Sequence, residues 1–172
     1  LIEPRVETPA ANFAAGPEYG YTTLDGLRAG FATKSSRWTS ATKVVLFGYS
    51  GGAIGTGWAA ELAPTYAPDV NEHLIGAAMG GVLVKPSTNL HYVDGSPLWA
   101  GVMPMAIVGV ARSFRIDLQP YLSDYGKRVY ARLQRAGIVE ALLTNSGVTW
   151  KRLAKPEYSE PESVPIYVES AN

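Results

Sequence analysis

The chain has 172 residues, 47% of them hydrophobic and 17% charged, which is enough apolar material for one domain core and unlike the composition of a disordered chain. Fifteen basic residues against fifteen acidic ones leave a formal net charge of zero, so nothing draws the chain as a whole to nucleic acid or to an anionic membrane surface. Without cysteine, disulfides, thiolate zinc sites and cysteine nucleophiles are excluded. In chain order, strand-like and helix-like signals alternate, the pattern of an α/β fold with parallel strands. The chain opens at Leu1 with no basic-then-apolar leader, and a processed product or a fragment is expected. Leu1 and Ile2, cut short by Pro4, read as the end of a strand.

From Gly16, the pair Pro17 and Glu18 makes a favourable helix start, and Tyr19, Leu24, Leu27 and Phe31 follow at near-helical spacing. A polar stretch, Thr33 to Thr42, separates this helix from Val44, Val45, Leu46 and Phe47. Such a continuous apolar run predicts a central strand buried on both faces.

Directly after it comes Gly48-Tyr49-Ser50-Gly51-Gly52, which fits Gly-x-Ser-x-Gly. A nucleophile elbow needs a strand before the serine, a helix after it and small residues on either side, because the serine backbone is held in a strained turn. All three conditions are met, since Ala53 to Leu62 reads as a helix, rich in glycine and alanine for close packing on the sheet and ended by Pro64. In that geometry the Ser50 hydroxyl is presented to a carbonyl carbon, and the Gly51 N–H stabilises the oxyanion that develops. Two other readings stay open: a glycine-rich turn with an incidental serine, and a phosphate-binding turn. The second lacks both the P-loop lysine and Gly-x-Gly-x-x-Gly at this turn.

Leu74 to Met79 predicts a second parallel strand, reached by a right-handed crossover, leading into Gly80 and Gly81. That small pair either leaves room for substrate or marks a tight turn out of the sheet. From about Val84 to Lys155 the alternation gives way to a mostly helical stretch, which reads as an insertion. Leu98 to Ala111 is a buried or lid helix, too short for a bilayer and broken by Pro104 and glycines. Leu118 to Leu133 sets Leu118, Tyr121, Leu122, Tyr125, Val129 and Leu133 on one face, with Lys127, Arg128, Arg132 and Arg135 on a solvated basic face. A short helix follows at Ile138 to Leu143, then a linker-like run from Pro156 to Pro165, and a strand at Pro165, Ile166, Tyr167 and Val168. The expected organisation is a core segment over 1–83, a helical cap or lid over 84–155, and a linker with a returning core strand over 156–172.

The segments GYSGGAIGTGWAAELAPTYAPDV, HLIGAAMGG, YTTLDGLRA and VPIYVESAN resemble the secretory lipase family of fungi and yeasts. The resemblance implies a partial α/β-hydrolase core with parallel strands and a helical cap, acting on triacylglycerols and other carboxylic esters without a cofactor or a metal, outside the cell. It carries over Ser50 as nucleophile and Gly51 as oxyanion-hole donor. The family's catalytic acid and histidine fall after the strand that VPIYVESAN resembles, so both are expected beyond Asn172. Near the oxyanion hole the family has an aspartate where Arg5 aligns here, with Glu7 matching the motif's glutamate. The partners implied are an ester or lipid substrate, a lipid interface met through the cap, and the remaining part of the same polypeptide. Nucleic acid is not among them.

Of the two histidines, His73 precedes its strand and belongs at the end of the sheet opposite the site, and His91, with Asp94 near it, falls in the insertion. The expected function is a carboxylic ester hydrolase working through a Ser50 acyl-enzyme. The alternative is a non-catalytic binding protein on a decayed hydrolase scaffold, motivated by Arg5 and the missing triad members.

Overall fold

The structure, a computed structural model, describes residues 12–164. The strands expected at Leu1–Ile2 and Pro165–Val168, and the positions Arg5 and Glu7, lie outside the described residues. The chain forms two compact units, one over Ala14–Val84 and the other over residues 12–13 and 85–164 of the described part.

In the first unit, helix α1 (Gly16–Ala32) starts with Pro17 in its first turn and buries Tyr19, Leu24 and Leu27, as the spacing predicts. Strand β1 (Val44–Tyr49) follows, then α2 (Gly51–Tyr66), the short α3 (Pro68–Asn71) and strand β2 (Leu74–Gly80). β1 and β2 pair in parallel, Val45 with Gly76 through Tyr49 with Gly80, so this stretch is a β-α-β crossover. Its core joins Leu24 and Leu27 of α1, Val44 and Leu46 of β1, and Ala59 and Ala63 of α2. Small residues let the helices close in: a Cβ on Gly20 would lie 2.9 Å from the Trp58 backbone carbonyl carbon.

Two expectations change here. β1 is not buried on both faces: Val44, Leu46 and Gly48 are buried, while Val45, Phe47 and Tyr49 are 60%, 80% and 72% exposed. Side chains alternate across a strand, and within this chain the helices cover the face that carries Leu46. Pro64 does not end its helix either, since α2 runs on to Tyr66. The hydrogen bond that Pro64 cannot donate would have gone to Ala60, an exposed residue whose carbonyl water can serve. Termination comes at Ala67, followed by Pro68.

The turn between α2 and α3 is tied to α1 by Arg28. Its guanidinium donates to Asp69 (2.9 Å), to the Tyr66 carbonyl (2.7 Å) and to Asp25 (3.2 Å), while the Tyr66 hydroxyl donates to Asp25 at 2.9 Å. The hydrogen bond from Arg28 holds the Asp69 carboxyl below its ordinary value, and the one to Asp25 raises the Tyr66 phenol above its own. A depressed carboxylate stabilises the fold above its unfolded value of 3.8 and loses that contribution as pH falls through the lower folded value. Asp69→Asn should therefore lower stability by a constant amount above about pH 4 and flatten the curve below it, read by thermal melts across pH.

The second unit contains α4 (Pro86–Val93), α5 (Val102–Ser113), α6 (Asp124–Leu133), α7 (Ile138–Thr144) and α8 (Trp150–Leu153). Two helices begin later than their apolar runs suggest. α5 starts at Val102, not Leu98, which places Pro104 within the first turn where its missing N–H costs nothing. α6 starts at Asp124, not Leu118, because Pro120 interrupts the run and Ser123 caps the helix by accepting from the Gly126 N–H at 3.0 Å. Leu118 and Leu122 are nevertheless buried, against Ala111. Ser123 also donates to the Arg152 carbonyl at 2.8 Å, joining the α6 cap to α8. Ser123→Ala should cost about 1–2 kcal/mol, measured by chemical denaturation, and an unchanged midpoint would show that the cap contributes nothing. Residues 156–164 form two short 3₁₀ turns in the same unit, where the Trp150 Nε1–H donates to the Tyr158 carbonyl at 2.8 Å. Among the described residues no helix is long and apolar enough to cross a membrane.

Candidate active site

The parallel ladder continues one step past β1, where the Ser50 N–H donates to the Gly80 carbonyl at 2.9 Å. The backbone then turns sharply, with Ser50 at φ 52° and ψ −116°. Arg37, with φ 58° and ψ 13°, sits in the left-handed well that side chains tolerate; the ψ of Ser50 takes it outside that well. The Ser50 carbonyl accepts from the N–H groups of Ala53 (2.9 Å) and Ile54 (3.3 Å), so the serine is at once the last rung of the ladder and the cap of α2. Its residue is solvent-exposed. The N–H of Gly51 opens α2 and belongs to the group of first-turn donors that have no intrahelical acceptor, at the positive end of the helix dipole. An exposed hydroxyl beside such a donor is the arrangement that attack on a carbonyl carbon requires.

The glycines flanking Ser50 differ in their reasons. A Cβ on Gly48 would overlap the Gly52 carbonyl and lie 2.6 Å from Thr56 Oγ1, so β1 and α2 meet there with no room for a side chain. A Cβ on Gly52 would meet no atom within 4 Å.

The space over Gly80 and Gly81 is not left open for substrate, as one of the two expectations had it: the Tyr49 ring occupies it. A Cβ on Gly80 would come within 2.8 Å of Tyr49 Cδ2, and one on Gly81 within 3.1 Å of Cζ. Gly81 adopts φ 58° as the chain leaves the strand, in keeping with the turn reading. Tyr49 has no distinguishing local signal in the sequence; what marks it is register, since pairing Tyr49 with Gly80 sets both on one face of the sheet.

The remaining titratable residues singled out from sequence have other roles. His73 precedes β2, at the end of the strands opposite Ser50; its Nδ1 lies 2.9 Å from the Thr42 carbonyl, and its ring stacks on Phe31 at 4.3 Å. Nδ1 must carry the proton for that bond. His91 is exposed on α4 in the other unit. Asp94 accepts from the Trp150 N–H at 2.6 Å and so holds the start of α8. Among the described residues, no group of three or more His, Asp or Glu is placed to hold a metal ion.

A family model described as Secretory lipase matches residues 1–153. Lipase 1 of Candida albicans is 40% identical over 117 residues, covering 66% of this chain and 24% of that protein. A trichothecene C-3 esterase of Fusarium sporotrichioides is 34% identical over 154 residues, covering 84% of this chain and 34% of the esterase. Among solved structures, Candida antarctica lipase A in its closed state superimposes with a TM-score of 0.72 at 30% identity, over 91% of this chain and 36% of that one. The chain therefore spans about a quarter to a third of the length of the curated relatives it matches.

Proposed function

The chain belongs to the secretory lipase family and carries part of an α/β-hydrolase core, and from that premise we propose that the protein is a carboxylic ester hydrolase with Ser50 as its nucleophile. The observation that carries the reading is the Ser50 backbone, held at φ 52° and ψ −116° between β1 and α2 with its residue exposed. A strained non-glycine conformation persists only where the surroundings over-determine it, and a serine in such a turn is aimed rather than merely placed.

In this mechanism the Ser50 Oγ attacks the ester carbonyl carbon and gives up its proton to a histidine, which an acidic residue orients. We assign both to polypeptide beyond Asn172. The carbonyl oxygen becomes an oxyanion that the Gly51 N–H stabilises. Collapse of the tetrahedral intermediate breaks the C–O bond, the histidine protonates the departing alcohol, and an acyl-enzyme remains on Ser50. Water, deprotonated by the same histidine, then releases the acid and restores the serine. The relatives' names, lipase and esterase, support lipid acyl esters and smaller esters as the substrate class. The helical stretch 84–155 is proposed as a cap or lid insertion, and the family's description supports a place outside the cell.

The test is labelling of the longest polypeptide that carries this chain with a fluorophosphonate probe, followed by mass spectrometry of the modified peptide. Phosphonylation at Ser50 supports the hydrolase. A folded protein that resists the probe supports a binding protein on a hydrolase scaffold instead.

A further inference from the structure

Ser50 holds a conformation that serine does not choose for itself, so something must hold it there. Below the serine, the carbonyl bonds to Ala53 and Ile54 account for the helix side of the turn. On the strand side the Ser50 N–H donates to the Gly80 carbonyl, and that carbonyl lies at the very end of β2, where the chain turns away through Gly81 at φ 58°. A strand end of two glycines is a soft anchor. The Tyr49 ring lies across both of them, closer than van der Waals contact to the positions a side chain would need, and a Cβ on Gly81 would stand 3.4 Å from the Ser50 nitrogen itself.

We propose that Tyr49 and the Gly80–Gly81 pair form a latch that holds the strained Ser50 backbone, with Tyr49 acting as a positioning residue. The inference rests on the reading of Ser50 as a nucleophile for its functional meaning, though not for its geometry. The ring contributes its face and edge, and the glycines contribute the absence of side chains that would lift it. Because Tyr49 immediately precedes the serine and Gly80 accepts the Ser50 N–H, a side chain that pushes the ring off the glycines also disturbs the strand end to which Ser50 is bonded.

The test is a cycle of Tyr49→Ala, Gly80→Ala and the double variant, with Tyr49→Phe as the conservative member, each melted to establish folding and each titrated with the fluorophosphonate. Gly80 has no positive φ, so alanine there probes overlap with the ring and not backbone strain. The maximal labelling rate is expected to fall roughly tenfold or more in Gly80→Ala and in Tyr49→Ala while the half-saturating probe concentration holds, the mark of a misaimed group and not of lost binding. Tyr49→Phe, which keeps the ring, should restore the rate that Tyr49→Ala loses. The double variant should label no more slowly than Tyr49→Ala alone, because the overlap disappears with the ring.

A Gly80→Ala protein that melts and labels like the wild type overturns the latch, as does a double variant whose loss is the product of the single losses. A wild type that does not label at all sinks the nucleophile reading separately, and the latch is then decided by melting alone. Ser50→Gly should raise the melting temperature by a few degrees in the wild type and not in Tyr49→Ala, where the strain is already released. An equal rise in both backgrounds overturns the latch without reference to any reaction.

Discussion

Ser50→Gly is expected to make the protein more stable and chemically inert in one step. A residue with a side chain held at φ 52° and ψ −116° carries strain of about 1–3 kcal/mol. Glycine relieves it, at the cost of about 0.5–1 kcal/mol of additional chain entropy lost on folding. The difference leaves a net gain of about 1 kcal/mol, or about 2–4 °C in melting temperature for a chain of this size. Loss of the hydroxyl should remove fluorophosphonate labelling altogether and lower ester turnover by on the order of 10⁶-fold, as expected when a serine nucleophile is deleted. Ser50→Ala is the necessary comparison, because it is equally inert but keeps a Cβ in the strained turn. Calorimetry of the two variants separates strain from chemistry, and a glycine variant that melts below the alanine one would show that the turn is not strained.

The second large effect concerns Gly48. A Cβ there enters the Gly52 carbonyl and the space of Thr56 Oγ1, and neither can retreat, since one is helix backbone and the other a buried side chain. Overpacking of this kind costs typically 1–3 kcal/mol, and with rigid backbone on the opposing side about 3 kcal/mol is expected for Gly48→Ala. Relief must come from moving α2 away from β1, and a displacement of about 1 Å at the reacting group costs roughly 100-fold in rate. Gly48→Ala should therefore melt about 6–12 °C lower and label at least about 100-fold more slowly. Gly52→Ala, with open space at its Cβ inside a helix, should instead hold or gain up to about 1 kcal/mol. Equal tolerance at the two positions would show that the motif's glycines are not distinguished by packing. Denaturant melts of both variants decide it.

Legibility from sequence followed the range of the forces involved. The strand, the elbow and the helix after it were readable from Val44 to Leu62 because apolar patterning, a backbone demand for small residues and helix periodicity all act within a few positions. The parallel partner at Leu74–Met79 was readable because a crossover of this length admits few topologies. The start of α6 at Asp124 depended on a choice between apolar periodicity from Leu118 and a serine cap, and the cap prevailed once Ser123 could also bond the Arg152 carbonyl. That second bond comes from 29 positions away.

Residues 44–62 alone determined that a serine would stand at a strand-to-helix turn among small residues, since apolar patterning and helix periodicity act there over a few positions. Only the folded chain decided what holds that turn. Strand register brings the Gly80 carbonyl to the Ser50 N–H and sets Gly80 beside the Tyr49 ring, and the Arg28 to Asp69 clasp closes over 41 positions. Contacts of this kind have no local signature, because their partners are selected by packing after the elements have formed.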